Sequence, residues 1–258
     1  MFPPERIVCL TEETTETLYL LGEERRIVGI SGYTVRPARA RREKPRVSAF
    51  ISADVPKILA LEPDLVLAFS DLQADIVAEL IREGVAVHAF NQRTVAEILA
   101  MIHTLGALVG AAARAEALVE ELCVNLKRAR VRAAGTRHRP KVYFEEWDAP
   151  MISAIAWVSE LIGIAGGIDI FAERAQGKSA KDRFVSADEI IERAPDIIIG
   201  SWCGKKFRSE YVAKRPGFDA VPAVRNGRLH EIKSALILQP GPAALTDGLA
   251  ALEALMRD

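Results

Sequence analysis

The chain is expected to be an α/β protein of two Rossmann-like lobes, each a parallel sheet covered by helices, joined by one long rigid helix. Three features of the sequence predict this. Strand-sized apolar segments alternate with helical ones, one segment occurs twice, and a proline-free helical stretch separates the two copies. A length of 258 residues accommodates two domains of ordinary size. The expected division is a first lobe at 1–110, a connecting helix at 111–135 and a second lobe at 136–258.

Taken in order, residues 6–10 read as the first strand and 15–21 as a helix closed by Gly22. The segment Phe50-Ile51-Ser52-Ala53-Asp54 then opens the first copy of the repeat, and Phe184-Val185-Ser186-Ala187-Asp188 opens the second. After a two-residue insertion in the first copy, Val55-Pro56, residues 57–67 match residues 189–199. Each copy reads as a cap, a short helix, a Pro-Asp turn and a buried strand. Ser186 and Glu189 have the spacing of a capping box, in which each side chain covers a backbone donor at the helix start. Pro63 and Pro195 cannot continue a helix and end it before the strand.

The flanking elements repeat as well. Residues 75–82 predict a helix, Gly84 its end and 85–90 another strand; the second copy gives a looser version at 209–214, Gly227 and 228–232. Residues 141–145 form the second lobe's first strand, and 158–164 a helix running into Gly166-Gly167. Between the copies Leu118, Leu122, Leu126 and Ala129 recur at helical spacing, and Arg128, Arg130 and Arg132 suit the negative end of a helix dipole. As one helix, 111–134 would span about 36 Å at about 1.5 Å per residue. A strut of that kind leaves a cleft between the lobes.

Composition removes several function classes. Half the residues are apolar, 27% are charged and the formal net charge is −1, so no bulk electrostatic attraction to nucleic acid or an anionic membrane is expected. No apolar run approaches the roughly 18–20 residues of a spanning helix. Cys9, Cys123 and Cys203 have no framework spacing. The sequence enters its first strand without a leader-like pattern, so the residues alone give a cytoplasmic protein.

In parallel sheets, ligands collect beyond the carboxyl ends of the strands. Those ends carry Thr11-Glu12-Glu13, Gly32-Tyr33, Phe69-Ser70 and Phe90-Asn91-Gln92 in the first lobe, and Glu145-Glu146-Trp147 and Ser201-Trp202-Cys203-Gly204 in the second. Trp147 and Trp202 directly follow strands and are expected to face the cleft, with Tyr33 and Phe69 as further wall candidates and Trp157 divided between wall and core. Aromatic walls with a few polar groups suit a large, flat, partly apolar ligand. Glu12, Glu13, Glu145 and Glu146 fall at equivalent strand ends, where a carboxylate would accept from amide or amine groups and repel an anionic ligand. His88, His103, His138 and His230 lack ligand spacing, so no metal site is expected.

The Pro-Asp-strand repeat, the central helix, Trp157-Val158-Ser159-Glu160-Leu161 running into Ala165-Gly166-Gly167, the segment from Val221 to Arg228 and Gln239-Pro240-Gly241-Pro242 resemble the cobalamin-binding, BtuF-like branch of ABC-transporter substrate-binding proteins. The resemblance runs from Arg6 to about Leu255 and extends to the wider helical-backbone superfamily, whose members also bind haem, siderophores and metals. It implies a corrinoid such as cobalamin or cobinamide held as ligand between two lobes, no cofactor of the protein's own, no catalysis, a monomer and a periplasmic location. It places Tyr33, Phe69 and Trp202 at or beside wall positions, and associates Trp147 and Trp157 with the corrinoid branch. The family also presents an acid on each lobe to an ABC permease; Asp71 or Asp75 fits the first lobe, whereas the second-lobe stretches around Lys205 and Leu236 carry no counterpart, so the expected role is ABC-type uptake or, fitting this and the leaderless start, intracellular corrinoid handling.

Other classes have less behind them. Gly29-Ile30-Ser31-Gly32 lacks the rest of a dinucleotide fingerprint, and no Gly-x-Ser-x-Gly elbow or Walker sequence occurs. An enzyme would have to use Cys203 as nucleophile, and a buried structural thiol is the expected reading of that residue. The basic run Arg36, Arg39, Arg41, Arg42, Lys44 and Arg46 lies around Pro37 and Pro45 and reads as a solvated loop, with a ligand phosphate as its other possible contact. A haem, ferric-siderophore or metal-binding protein of the same superfamily is the alternative on the binding side.

Overall fold

A computed structural model describes residues 3–136 and 138–257. The chain divides into two compact units, one formed by Met1–Gln92 with Ala96–Leu122, the other by Arg93–Val95 with Cys123–Asp258. The first unit holds strands β1 (Ile7–Cys9), β2 (Ile27–Ser31), β3 (Arg46–Ser48), β4 (Leu65–Phe69) and β5 (Val87–Phe90). They form one sheet in the order β3-β2-β1-β4-β5 with every neighbour parallel. Leu65–Phe69 is buried along its whole length, as a strand covered on both faces must be. One side of this sheet packs on Val55, Ile58 and Leu80 from the helices that follow β3 and β4.

The second unit holds β6 (Lys141–Asp148), β7 (Met151–Ser153), β8 (Ile168–Asp169), β9 (Ile197–Gly200) and β10 (Leu229–Glu231). Its order is β10-β9-β6-β7, with β8 also paired to β6. This sheet departs from the all-parallel expectation, because β6 continues past Glu145 and turns back through β7 as an antiparallel hairpin. Tyr143, Phe171, Ile190, Ile198 and Phe218 form the centre of this unit's core. Gly200 ends β9 where a Cβ would lie 1.8 Å from the Phe207 ring, so only glycine leaves room for that ring against the strand.

The repeat has a structural reason in each unit. Asp64 donates its N–H to the Arg6 carbonyl, and its carboxylate accepts from the N–H groups of Glu5 and Arg6. Asp196 does the same at the equivalent place, bonding the Lys141 carbonyl and N–H. The residues before the two prolines, Glu62 and Ala194, both take left-handed backbone conformations that end the preceding helix. Arg6 and Lys141 then reach the freed helix-end carbonyls, Leu61 and Glu62 in one unit and Arg193 in the other. The Pro-Asp motif thus stops a helix and clips the first strand of the sheet beside it. The capping box of Ser186 and Glu189 forms; in the first copy the Asp54 carboxylate caps instead, accepting from the Lys57 N–H.

One helix spans Ala112–Ala134, with Ala115, Val119, Leu122, Leu126 and Ala129 buried at helical spacing. Its first half belongs to the first unit and its second half to the second. In the second unit Asn125 donates to the Leu245 carbonyl, and Arg132 forms a two-pronged ion pair with Glu253. No helix among the described residues is long and apolar enough to cross a membrane.

The basic run differs from the loop that was expected. It contains a short helix, Ala40–Glu43, and the edge strand β3, because Ala40 and Val47 are buried while the charges around them face water. Arg36 pairs with Glu16, and Arg39 with Glu24 and Glu43, so several of these cations serve the unit's own surface.

Candidate functional site

At the carboxyl edge of the first sheet, the helix Glu12–Leu20 begins directly after β1, and every residue from Glu12 to Tyr19 is buried. Glu12 and Glu13 therefore sit in the favourable field of a helix N-terminus yet away from water. Burial pushes the Glu12 carboxyl up to about 7 and, helped by the Glu12 charge, that of Glu13 up to about 8. Glu13 accepts from the Thr11 hydroxyl at 2.6 Å, whereas Glu12 Oε2 is buried with no protein partner. Near neutral pH this edge can present a carboxyl group as hydrogen-bond donor as well as acceptor. Burial also pushes the Cys9 thiol, at the end of β1, up to about 12, which makes it inert.

Beside it, Tyr33 follows β2 and is 54% exposed. Phe69 closes β4 but is only 5% exposed, so its ring is mostly core and little of it can form a wall. Gln73, which sequence reasoning passed over, organises this edge. Its carbonyl accepts from the Phe69 N–H at 2.9 Å, and its amide donates to the carbonyls of Phe50 at 2.8 Å and Leu10 at 3.4 Å. One buried side chain thereby ties together the segments that follow β1, β3 and β4. The only sequence signal for it is a polar residue soon after a buried strand. Asp71 and Asp75 are both exposed at the start of the helical turns that follow β4.

The carboxyl edge of the second sheet is organised around Glu145, and the register corrects the expected equivalence of the acids. Cys9 pairs with Leu67 in one sheet and Phe144 with Ile199 in the other, so Glu145 corresponds to Leu10 and Trp147 to Glu12. Glu145 is still inside the sheet, opposite Gly200, and is fully buried. Its carboxylate is engaged by Arg215 at 2.5 and 2.9 Å, by Trp202 Nε1 at 3.0 Å and by the Tyr143 hydroxyl at 3.1 Å. It has no capacity left for a ligand and is a structural anion. Burial, with the Glu145 charge next, raises the Tyr143 hydroxyl well above its usual range. Glu146 is likewise committed, to the buried guanidinium of Arg183. Arg183 and Arg215 carry no local pattern that could have revealed them, since their partners lie 37 and 70 residues away in sequence.

The tryptophans separate into three situations. Trp157 is 3% exposed and donates Nε1 to the Ile237 carbonyl at 2.8 Å, which removes it from the wall candidates and places it in the core. Trp202 is 5% exposed, meets Phe207 edge to face, and still lines an open pocket. Trp147 lies within β6 at the hairpin instead of after a strand, is half-buried, and donates Nε1 to the Ala149 carbonyl. Lys205 stands over both rings, 4.3 Å from the Trp147 centroid and 4.9 Å from that of Trp202, a favourable cation–π arrangement. Cys203 is exposed, against the expectation of a buried thiol, and lies in the turn between β9 and Lys205. Among the described residues no three His, Cys, Asp or Glu side chains group as a metal site.

Similarity to known proteins bears on this arrangement. Residues 7–236 match the model of a family described as periplasmic binding protein. An ABC transporter substrate-binding lipoprotein of Bacillus subtilis is 24% identical over 93% of this chain and 76% of its own length. A vitamin B12-binding protein of Vibrio parahaemolyticus is 24% identical over 94% and 86%. Three solved structures share the fold. A possible iron-binding protein of Staphylococcus epidermidis has a TM-score of 0.84 at 24% identity, covering 99% of this chain and 100% of its own. A haem-binding protein from Roseiflexus has a TM-score of 0.83 at 23% identity, covering 98% and 99%. The vitamin B12-binding protein BtuF of Vibrio cholerae has a TM-score of 0.78 at 22% identity, covering 99% and 97%.

Proposed function

The chain belongs to the periplasmic binding protein family, and we infer that it is a receptor for a corrinoid of the vitamin B12 or cobinamide type. Members of the family bind substrates and are not enzymes, and any corrinoid here is ligand, not cofactor. The observation that carries the corrinoid reading is the vitamin B12-binding relative matched along 94% of the chain. The side chains support it in a second way. Tyr33 at one carboxyl edge and Trp147 with Trp202 at the other offer ring surface, and the acids that would repel or chelate are either buried or already paired. We assign ring contact to Tyr33 and Trp147, a lesser share to Phe69 and to the edge of Trp202 that reaches its pocket, polar contact to Glu12 and an adjacent position to Cys203. The reading also assigns docking to an ABC permease to Asp71 or Asp75, outside the cytoplasm.

Titration with cyanocobalamin, dicyanocobinamide, haem and a ferric hydroxamate, followed by tryptophan fluorescence, tests it. The expected result is saturable quenching by at least one corrinoid, competed by the other. Tight haem or hydroxamate binding with no response to either corrinoid would replace this reading with one of the superfamily's other ligand classes.

A further inference from the structure

Beyond β9 and β10 the second unit contains an open pocket of about 260 Å³, lined by Trp202, Gly204, Lys205, Lys206, Glu231, Lys233 and Ser234. Three lysines thus meet two carboxylates, Glu231 in the lining and Asp148 beside it. Glu231 is not available to a ligand: it accepts from Lys233 Nζ at 2.6 Å and from the Phe207 N–H at 3.2 Å. Burial works against its charge, but those two hydrogen bonds and the charges of Lys233 and Lys206 together hold it below the usual carboxylate range. Glu231 therefore stays ionised and fixes Lys233 at the rim. Lys205 is fixed as well, by Asp148 at 2.5 Å and by the faces of Trp147 and Trp202. Two of the three cations are held in place before any ligand arrives, each by a carboxylate that an anion would have to share it with, and Lys206 carries the charge that no ion pair among the described residues offsets.

We propose that this pocket is an anion subsite that takes the phosphate of the ligand's nucleotide arm while Trp147 and Trp202 contact the ligand's apolar bulk. This rests on the corrinoid reading and sharpens it. Cobalamin carries a phosphodiester in that arm and cobinamide does not, so the pocket would make the protein discriminate between them. Ammonium-to-phosphate contacts are charge-assisted and partly screened by salt at an open site.

The test compares the full chain with Lys205→Gln, Lys206→Gln, Lys233→Gln and the triple variant, each titrated with cyanocobalamin and dicyanocobinamide at low and high salt. Circular dichroism melting verifies that each variant is folded. The triple variant is expected to lose about tenfold or more in cobalamin affinity, the equivalent of one lost charge-assisted contact, and to lose most of its salt dependence. Cobinamide affinity is expected to stay within about twofold. Equal losses for both corrinoids, or none for either, would overturn the subsite while leaving the corrinoid reading intact. If the unsubstituted chain binds neither corrinoid, the corrinoid reading itself fails and the subsite falls with it.

Discussion

Removing the Arg215 guanidinium tests most directly how the second unit's carboxyl edge is held. Glu145 is fully buried, the Arg215 side chain is 17% exposed, and both guanidinium nitrogens lie within 2.9 Å of the carboxylate. Arg215→Met keeps much of the alkyl stem but leaves a buried carboxylate facing only the neutral donors of Tyr143 and Trp202. Breaking a buried pair in this way costs about 3–5 kcal/mol, a large part of the roughly 5–15 kcal/mol that keeps a typical domain folded. The double variant Glu145→Leu with Arg215→Met removes the stranded charge together with its partner, and is expected to recover at least about 2 kcal/mol relative to the sum of the single changes. Urea unfolding followed by far-UV circular dichroism gives all four corners of the cycle without relying on Trp202 as reporter. A loss below about 1 kcal/mol in Arg215→Met, or a double variant equal to the sum of the singles, would refute the claim that Glu145 is a structural anion neutralised by Arg215. The carboxylate would then be available to a ligand after all.

Three further outcomes follow from other parts of the molecule. Glu12 and Glu13 bind protons more tightly folded than unfolded, so their contribution to stability is complete below the ordinary carboxyl value of 4.5 and is lost as pH rises through about 7 and about 8. The unfolding free energy from urea titrations should fall across that window, by at most about 1.4 kcal/mol per pH unit for each proton, and Glu12→Gln with Glu13→Gln should flatten the profile; an unchanged slope in the double variant refutes this. Asp64→Ala and Asp196→Ala should each cost about 1 kcal/mol by releasing the strand-end N–H groups, with near-additive effects because the two clips lie in different units; a neutral result at both sites would mean that the repeat has another cause. Tyr33→Ala should leave the melting temperature almost unchanged, since the ring is 54% exposed, while weakening corrinoid binding by about 1–2 kcal/mol; unchanged affinity would remove Tyr33 from the site.

The scaffold was legible in the sequence because its determinants are local. A Pro-Asp turn, a capping box and a run such as Ile197-Ile198-Ile199 act within a few residues of themselves, so the repeated strands and helices and the helix Ala112–Ala134 could be read directly, whereas β3 within the basic run and the two-residue β8 could not. Sequence reading misses the hairpin of β6 and β7 although Asp148-Ala149-Pro150 is a turn signal, because the two acids Glu145 and Glu146 disguise the second half of the strand until Arg215 and Arg183 are known to neutralise them. The wall residues were partly legible for the same reason. A tryptophan near a strand end can be located, but whether its ring faces water depends on distant partners, such as the Ile237 carbonyl that accepts from Trp157.

The same contrast bears on where specificity resides. Asp64 and Asp196 perform one task in both units and have stayed recognisable as a repeat, as the turns before them have. The residues just beyond the clipped strands share nothing: a Thr-Glu-Glu helix start on one edge, a Glu-Glu-Trp hairpin on the other. Each unit therefore ends its sheet with its own chemistry: buried carboxyls pushed up to about 7 and about 8 in the first, and Lys205 over two tryptophan rings in the second. On the corrinoid reading, Lys205→Gln together with Lys206→Gln should change which corrinoid is preferred before it changes whether corrinoids are bound at all.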